Sequence, residues 1–128
     1  MIGRIYIIKN YVNNLLYVGS TTRNLEARFK QHKHDINKYP NFKLYKAMQE
    51  FQHNNFYIIL IEELDIETIQ DLRKIKGQYI KLIKPTLNKN IAGRSMKEYK
   101  EDNYNTIKNI KKYQKHIMKI IKNILKNI

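Results

Sequence analysis

The 128-residue sequence predicts an α/β (α+β) fold: a small three-stranded antiparallel sheet flanked by helices, plus a C-terminal basic helix. Three observations predict it. Two short apolar runs, residues 5–8 and 15–18, are separated by a polar, Asn-rich link, the pattern of a β-hairpin. Several later stretches repeat apolar residues at spacings of three and four, as a helix face does. A third apolar run, residues 56–63, is short and rich in β-branched residues, which favours a strand over a buried helical turn.

The elements follow in chain order. The second strand run ends at Gly19-Ser20-Thr21-Thr22, and residues 24–32 then have helical character, with Thr22 or Asn24 as N-cap. Leu25, Phe29 and His32 share one face, and Arg28 and His32, four apart, are neighbours. Residues 34–41 are polar, contain Pro40 and read as a loop. In residues 42–51, Leu44, Ala47, Met48 and Phe51 recur at helical spacing, and Gln52-His53-Asn54-Asn55 ends that helix. The continuous apolar character of residues 56–63 suits the middle strand of a sheet covered on both faces. Asp65 or Thr68 caps the next helix, with Glu67 in its first turn. Ile69, Leu72, Ile75, Tyr79, Ile80 and Ile83 form its apolar side, Gly77 interrupts it at a cost of about 1 kcal/mol against alanine, and Lys84-Pro85 stops it.

Two segments are expected: residues 1–92 as the folded domain and 93–128 as a basic helical extension. From Asn103 onward no residue is acidic, and Lys111, Lys112 and Lys115 stand among seven lysines. Ile107, Ile110, Ile117, Ile121, Ile124 and Ile128 make a heptad-like seam, with Gln114 as its polar member. The seam is compatible with a helix on nucleic-acid phosphates, a homodimeric coiled coil or packing on the core, a membrane-surface helix, or a frayed end.

The formal net charge is +14, which favours a polyanionic partner, most simply nucleic acid. Over-use of Lys, Asn, Ile and Tyr, whose codons are AT-rich, is the competing explanation of that charge. There is no cysteine, hence no disulfide framework and no thiolate zinc site. No apolar run is long enough for a signal peptide or a bilayer span. The expectation is a soluble intracellular protein with no membrane partner, its compartment open.

Arg4-Ile5-Tyr6, preceded by Gly3, then Tyr17-Val18-Gly19-Ser20-Thr21, then Arg28 with His32 one helical turn later, together resemble the signature of the GIY-YIG nuclease family, including members from large DNA viruses. The Gly-Ile-Tyr half is imperfect. The resemblance runs from Gly3 to about Asn90. It implies the same small sandwich of sheet and helices, DNA as partner and substrate, and phosphodiester hydrolysis with one divalent metal, magnesium or manganese. Carried over by motif position, Tyr6 and Tyr17 are the phenols that help activate water. Arg28 makes a forked contact to phosphate, and His32 orients water or accepts its proton. Asn88 matches a late asparagine that holds the site. Arg28, Lys33, Lys76, Lys111, Lys112 and Lys115 are the candidate DNA contacts.

One position departs from the family. Its helix reads roughly Leu-Arg-Lys-x-Glu-x-x-Tyr/Trp-Ile, whereas residues 72–80 here read Leu-Arg-Lys-Ile-Lys-Gly-Gln-Tyr-Ile. Lys76 stands where the metal-binding glutamate belongs. An ammonium has no lone pair for a metal, and a hard cation wants oxygen ligands. Poor metal binding and poor or absent cleavage are expected, with the ammonium free to pair with phosphate. Glu62, Glu63 and Glu67 are the possible substitute carboxylates. The competing expectation is a non-catalytic DNA-binding module on the same fold.

Overall fold

The first two strands, β1 (Ile2–Asn10) and β2 (Tyr17–Thr21), form the predicted hairpin, with Tyr6 opposite Gly19 and Ile8 opposite Tyr17. Asn10 organises the connection. Its side-chain oxygen accepts from the Val12 and Asn13 amides at 2.9 Å each, and its amide nitrogen donates to Asn13 Oδ1, so the Asn-rich link builds its own turn. This computed structural model describes residues 1–88. The chain divides into two units, Met1–Lys89 and Asn90–Ile128. The expected tail helix, with Lys111, Lys112, Lys115 and the dimer seam, lies outside the described residues.

The sheet is three-stranded and antiparallel, in the order β2-β1-β3, with β3 spanning Phe56–Asp65. The middle strand is therefore β1, not β3 as its apolar run suggested. An unbroken apolar run carries no information about which edges are paired. Residues 5–10 of β1 are all buried, Lys9 and Asn10 included, whereas β3 is mostly half-buried and Leu60 is exposed. The β1–β3 register slips by one residue between Ile5 and Tyr6, a bulge that increases local twist.

Helix α1 (Leu25–Lys38) is capped by Asn24, whose side-chain oxygen accepts from the Ala27 amide at 2.8 Å. It runs six residues past the predicted end, through most of the expected loop. No breaker precedes Pro40, and Ile36 continues the His32 face one turn on and is buried with it. Helix α2 (Lys43–Glu50) buries Leu44, Tyr45, Ala47 and Met48. A 3₁₀ turn at His53–Asn55 leads into β3. Helix α3 (Ile69–Ile83) opens with a capping box between Thr68 and Asp71 and closes at Lys84 in the left-handed region, so Asp71, not Glu67, completes the cap. One face of the sheet, carrying Tyr6, Ile8 and Tyr17, packs with Ile36, Leu44, Tyr45 and Met48 into a core. On the other face Gly3 lies against Leu72 and Ile66, bringing α3 onto the sheet.

Candidate active site

Tyr6 is the centre of the site. It lies on β1 directly opposite Gly19, and a Cβ at position 19 would collide with the end of its ring. Glycine is what allows the phenol to lie across the neighbouring strand. Helix α1 then supplies Arg28 and His32 from one face at a spacing of four. Arg28 Nε donates to the Tyr6 hydroxyl at 3.3 Å, and His32 Nε2 is 2.7 Å from the same hydroxyl. His32 Nδ1 is 2.9 Å from the Tyr45 hydroxyl on α2. Tyr17 stands edge-on to His32, its ring centre 5.7 Å away, and 6.4 Å from the Tyr6 ring. Asn88 ties the edge of β2. Its Oδ1 accepts from the Val18 amide at 2.9 Å and its Nδ2 donates to the Val18 carbonyl at 2.8 Å, so one side chain pairs as a neighbouring strand would. The Leu87 amide extends this pairing to the Leu16 carbonyl at 3.1 Å.

The phenols and the imidazole of the cluster are buried, and its cations are half-buried. Tyr6 has no exposed surface and His32 only 1 %. Burial, then the Arg28 charge, push the His32 pKa down to about 3, so the imidazole is neutral. Burial raises the Tyr6 pKa, with Tyr17 adding to it and Arg28 opposing it; burial likewise raises that of Tyr17. Both phenols are therefore protonated at physiological pH. Tyr17 differs from Tyr6 in that its hydroxyl makes no hydrogen bond to the described residues, and no buried side-chain oxygen or nitrogen among them lacks a partner. Tyr17 is itself a buried residue, with 9 % of its surface exposed. The terminal nitrogens of Arg28 also make no hydrogen bond within the described residues. Lys76, half-buried on α3, has its pKa lowered by burial, then by Arg73 and Arg28. Its electrostatic neighbours are cations. Two half-buried positive groups, on which no carboxylate of the described residues acts strongly, favour an anion.

Tyr6, Tyr17, Arg28 and His32 are therefore brought together as the motif spacing suggested, with Lys76 electrostatically coupled to Arg28 and Asn88 behind β2. Lys33 is not among them. It is exposed, with its ammonium 4.7 Å from the centre of the Phe29 ring. Tyr45 belongs to the cluster although the helical periodicity of residues 42–51 passes over it. A tyrosine adjoining an apolar helix face is the available signal, because a buried phenol needs a partner for its hydroxyl.

Comparison with known proteins identifies the family of the domain that carries this cluster. The sequence profile of the GIY-YIG catalytic domain matches residues 2–88. The chain belongs to the GIY-YIG family. Among solved structures, the catalytic domain of the homing endonuclease I-TevI is similar, at 30 % identity and a TM-score of 0.56 over 70 % of this chain and 98 % of that one. A glutamate-to-alanine mutant of the same catalytic domain matches at 31 % identity and a TM-score of 0.58, over 74 % and 98 %. Two proteins of Invertebrate iridescent virus 6 are also similar: the MSV199 domain-containing protein 146R, 39 % identical over 79 residues, and protein 019R, 32 % identical over 80. Each alignment covers 62 % of this chain, and the chain spans about a third of the length of these curated relatives (32 % and 29 %).

The side chains of this GIY-YIG domain do not fit the divalent metal that the family implies. Among the described residues no three His, Cys, Asp or Glu side chains cluster closely enough to hold an ion. The helix position that should offer a carboxylate offers the Lys76 ammonium, and both nitrogens of His32 are engaged by phenols. Of the substitute carboxylates, Glu62 accepts the Tyr79 hydroxyl and Glu63 pairs with Arg4 at 3.0 Å. Glu67 is exposed in the turn before α3. Among the described residues, no helix is long and apolar enough to cross a membrane.

Proposed function

We propose that this chain is a GIY-YIG DNA endonuclease domain that grips the phosphodiester backbone and, with Lys76 in place of a metal-ligating glutamate, cleaves it poorly or not at all. The observation that carries the reading is the cluster itself. Arg28 is held through Nε by Tyr6, leaving its terminal fork for phosphate, with the Lys76 ammonium coupled to it. Phosphodiester hydrolysis requires an activated water, neutralised equatorial oxygens and a stabilised leaving oxygen. The residues here supply neutralisation through Arg28 and Lys76. Their neutral phenols and neutral imidazole supply hydrogen bonds, and no strong base. That imbalance also supports the second reading, a DNA-binding module that has ceased to be an enzyme.

A plasmid assay separates the two. The protein and its Lys76→Glu variant are incubated with supercoiled DNA and magnesium or manganese, and binding is measured in parallel. Conversion to nicked or linear plasmid by Lys76→Glu alone is the expected result. Cleavage by both would mean that a substitute ligand exists. Binding by both without cleavage by either would favour the non-catalytic module.

A further inference from the structure

Helix α3 carries a second cation beside Lys76. Arg73 precedes Lys76 by three residues, so the two are neighbours on the helix surface, with about 5–6 Å between their Cβ atoms. Arg73 is exposed and makes no hydrogen bond or ion pair with the described residues. Its charge and that of Arg28 both act on Lys76. Three cations from two elements are thus coupled through Lys76. Like charges held together repel one another, and an anion spanning them removes that repulsion. Gly77 adjoins Lys76 and follows Arg73 by four residues, on the same side of α3 as Arg73. Of the three glycines among the described residues, two have a reason inside the fold: a Cβ at Gly3 would collide with Leu72 and Ile66, and one at Gly19 with Tyr6. At Gly77 a Cβ would meet nothing within 4 Å, and φ is not in the left-handed region. Glycine weakens a helix interior relative to alanine, and nothing among the described residues requires it here. What glycine does supply is a helix surface that another backbone can approach closely.

We infer that the phosphodiester backbone runs on from Arg28 over α3, with Lys76 and Arg73 taking successive phosphates and Gly77 giving the strand its close approach. Charge selects nucleic acid as the occupant of this face. The chain's own tail is no complement to it, since from Asn103 onward it carries seven lysines and no acidic residue. The separation of Arg73 and Lys76 is comparable with the step between neighbouring phosphates, and contacts of this kind fix the register of the duplex without reading its sequence. The inference rests on the DNA-binding part of the proposed function and adds Arg73 and Gly77 to it.

The test is binding of the full chain to a short DNA duplex over a salt series, read by fluorescence anisotropy, with urea unfolding in parallel. Arg73→Gln is expected to bind about tenfold more weakly and to lower the magnitude of the log–log salt slope by about one. Lys46→Gln is the control. It removes an equal charge from an exposed position on α2, which packs on the opposite face of the sheet from α3, and its slope is expected to stay close to that of the wild type. Gly77→Gln leaves the charge unchanged. It is expected to raise the urea midpoint, because glutamine is the better helix former, and yet to weaken binding about tenfold by holding the strand off Lys76. Arg73→Gln indistinguishable from Lys46→Gln, or Gly77→Gln binding as the wild type does, overturns the inference. So does a lowered urea midpoint in Gly77→Gln, which would mean that part of the chain itself covers this face. A wild-type chain that binds no duplex rejects the DNA reading, and the inference with it.

Discussion

His32 shows how burial changes what a residue can do. An exposed histidine titrates near neutrality and suits proton exchange; this one, 1 % exposed and with a pKa of about 3, does not. Its service to the site is as a neutral link between Tyr6 and Tyr45. The same shift has a thermodynamic consequence. The unfolded imidazole binds a proton below about pH 6.5 and the folded one only near pH 3. The contribution of neutral His32 to stability is therefore fully present above pH 6.5 and is lost as pH falls toward 3. Urea unfolding at stepwise lower pH should show stability declining below pH 6.5, with the His32 part approaching ~1.4 kcal/mol per pH unit. The His32→Gln variant should lack that part of the slope. Lys76 is the other decisive residue. Burial and two neighbouring cations disfavour its charge, so a phosphate oxygen placed beside it would favour the ammonium form.

At the scale of elements, a short edge strand is secured from both sides. β2 has five residues, too few to be rigid alone. β1 pairs with one edge and the Asn88 side chain with the other, which keeps Tyr17 and Gly19 in register with Tyr6. Helix α3, which carries Lys76, has a removable weakness in its neighbour Gly77. A Cβ there meets nothing within 4 Å, and φ is not in the left-handed region. Gly77→Ala should stabilise the domain by about 1 kcal/mol through helix propensity and reduced unfolded-state entropy, read as a higher urea midpoint at unchanged slope. The length of α1 also has a function. Its continuation past His32 buries Ile36 beside α2, bringing Tyr45 to Nδ1. A helix ending at residue 32 would leave that face short.

At the scale of the whole chain, the dominant quantity is the net charge of +14. Lysines spread over a chain bind any polyanion without choosing among sequences. On the proposed reading, the two cations at the Tyr6 cluster add a phosphate contact of fixed position. DNA affinity should fall steeply with added salt, and Arg28→Ala should lower the magnitude of the log–log slope by about one. Arg28→Lys should not restore full affinity, since an ammonium cannot both donate sideways to Tyr6 and present a planar fork. Fluorescence anisotropy over a salt series measures all three proteins.

The hairpin, the helix faces, the Arg28–His32 spacing and the anomalous Lys76 could be read directly, because strand alternation, helical period and charge are properties of neighbouring residues. Sheet order could not. The apolar run of β3 looks central, yet β1 takes the middle, since pairing of edges is a contest between segments far apart in the chain. The length of α1 was hidden for a related reason: the polar stretch from His34 resembles a loop until Ile36 is buried with the His32 face. Tyr45 was invisible as a site residue because only the packing of α2 against α1 puts its hydroxyl on His32. The residues set which groups were available and what they could do chemically. Tertiary packing decided which were buried, which nitrogen meets which oxygen, and hence that Tyr6, Tyr17 and His32 are enclosed while Arg28 and Lys76 stay half-buried.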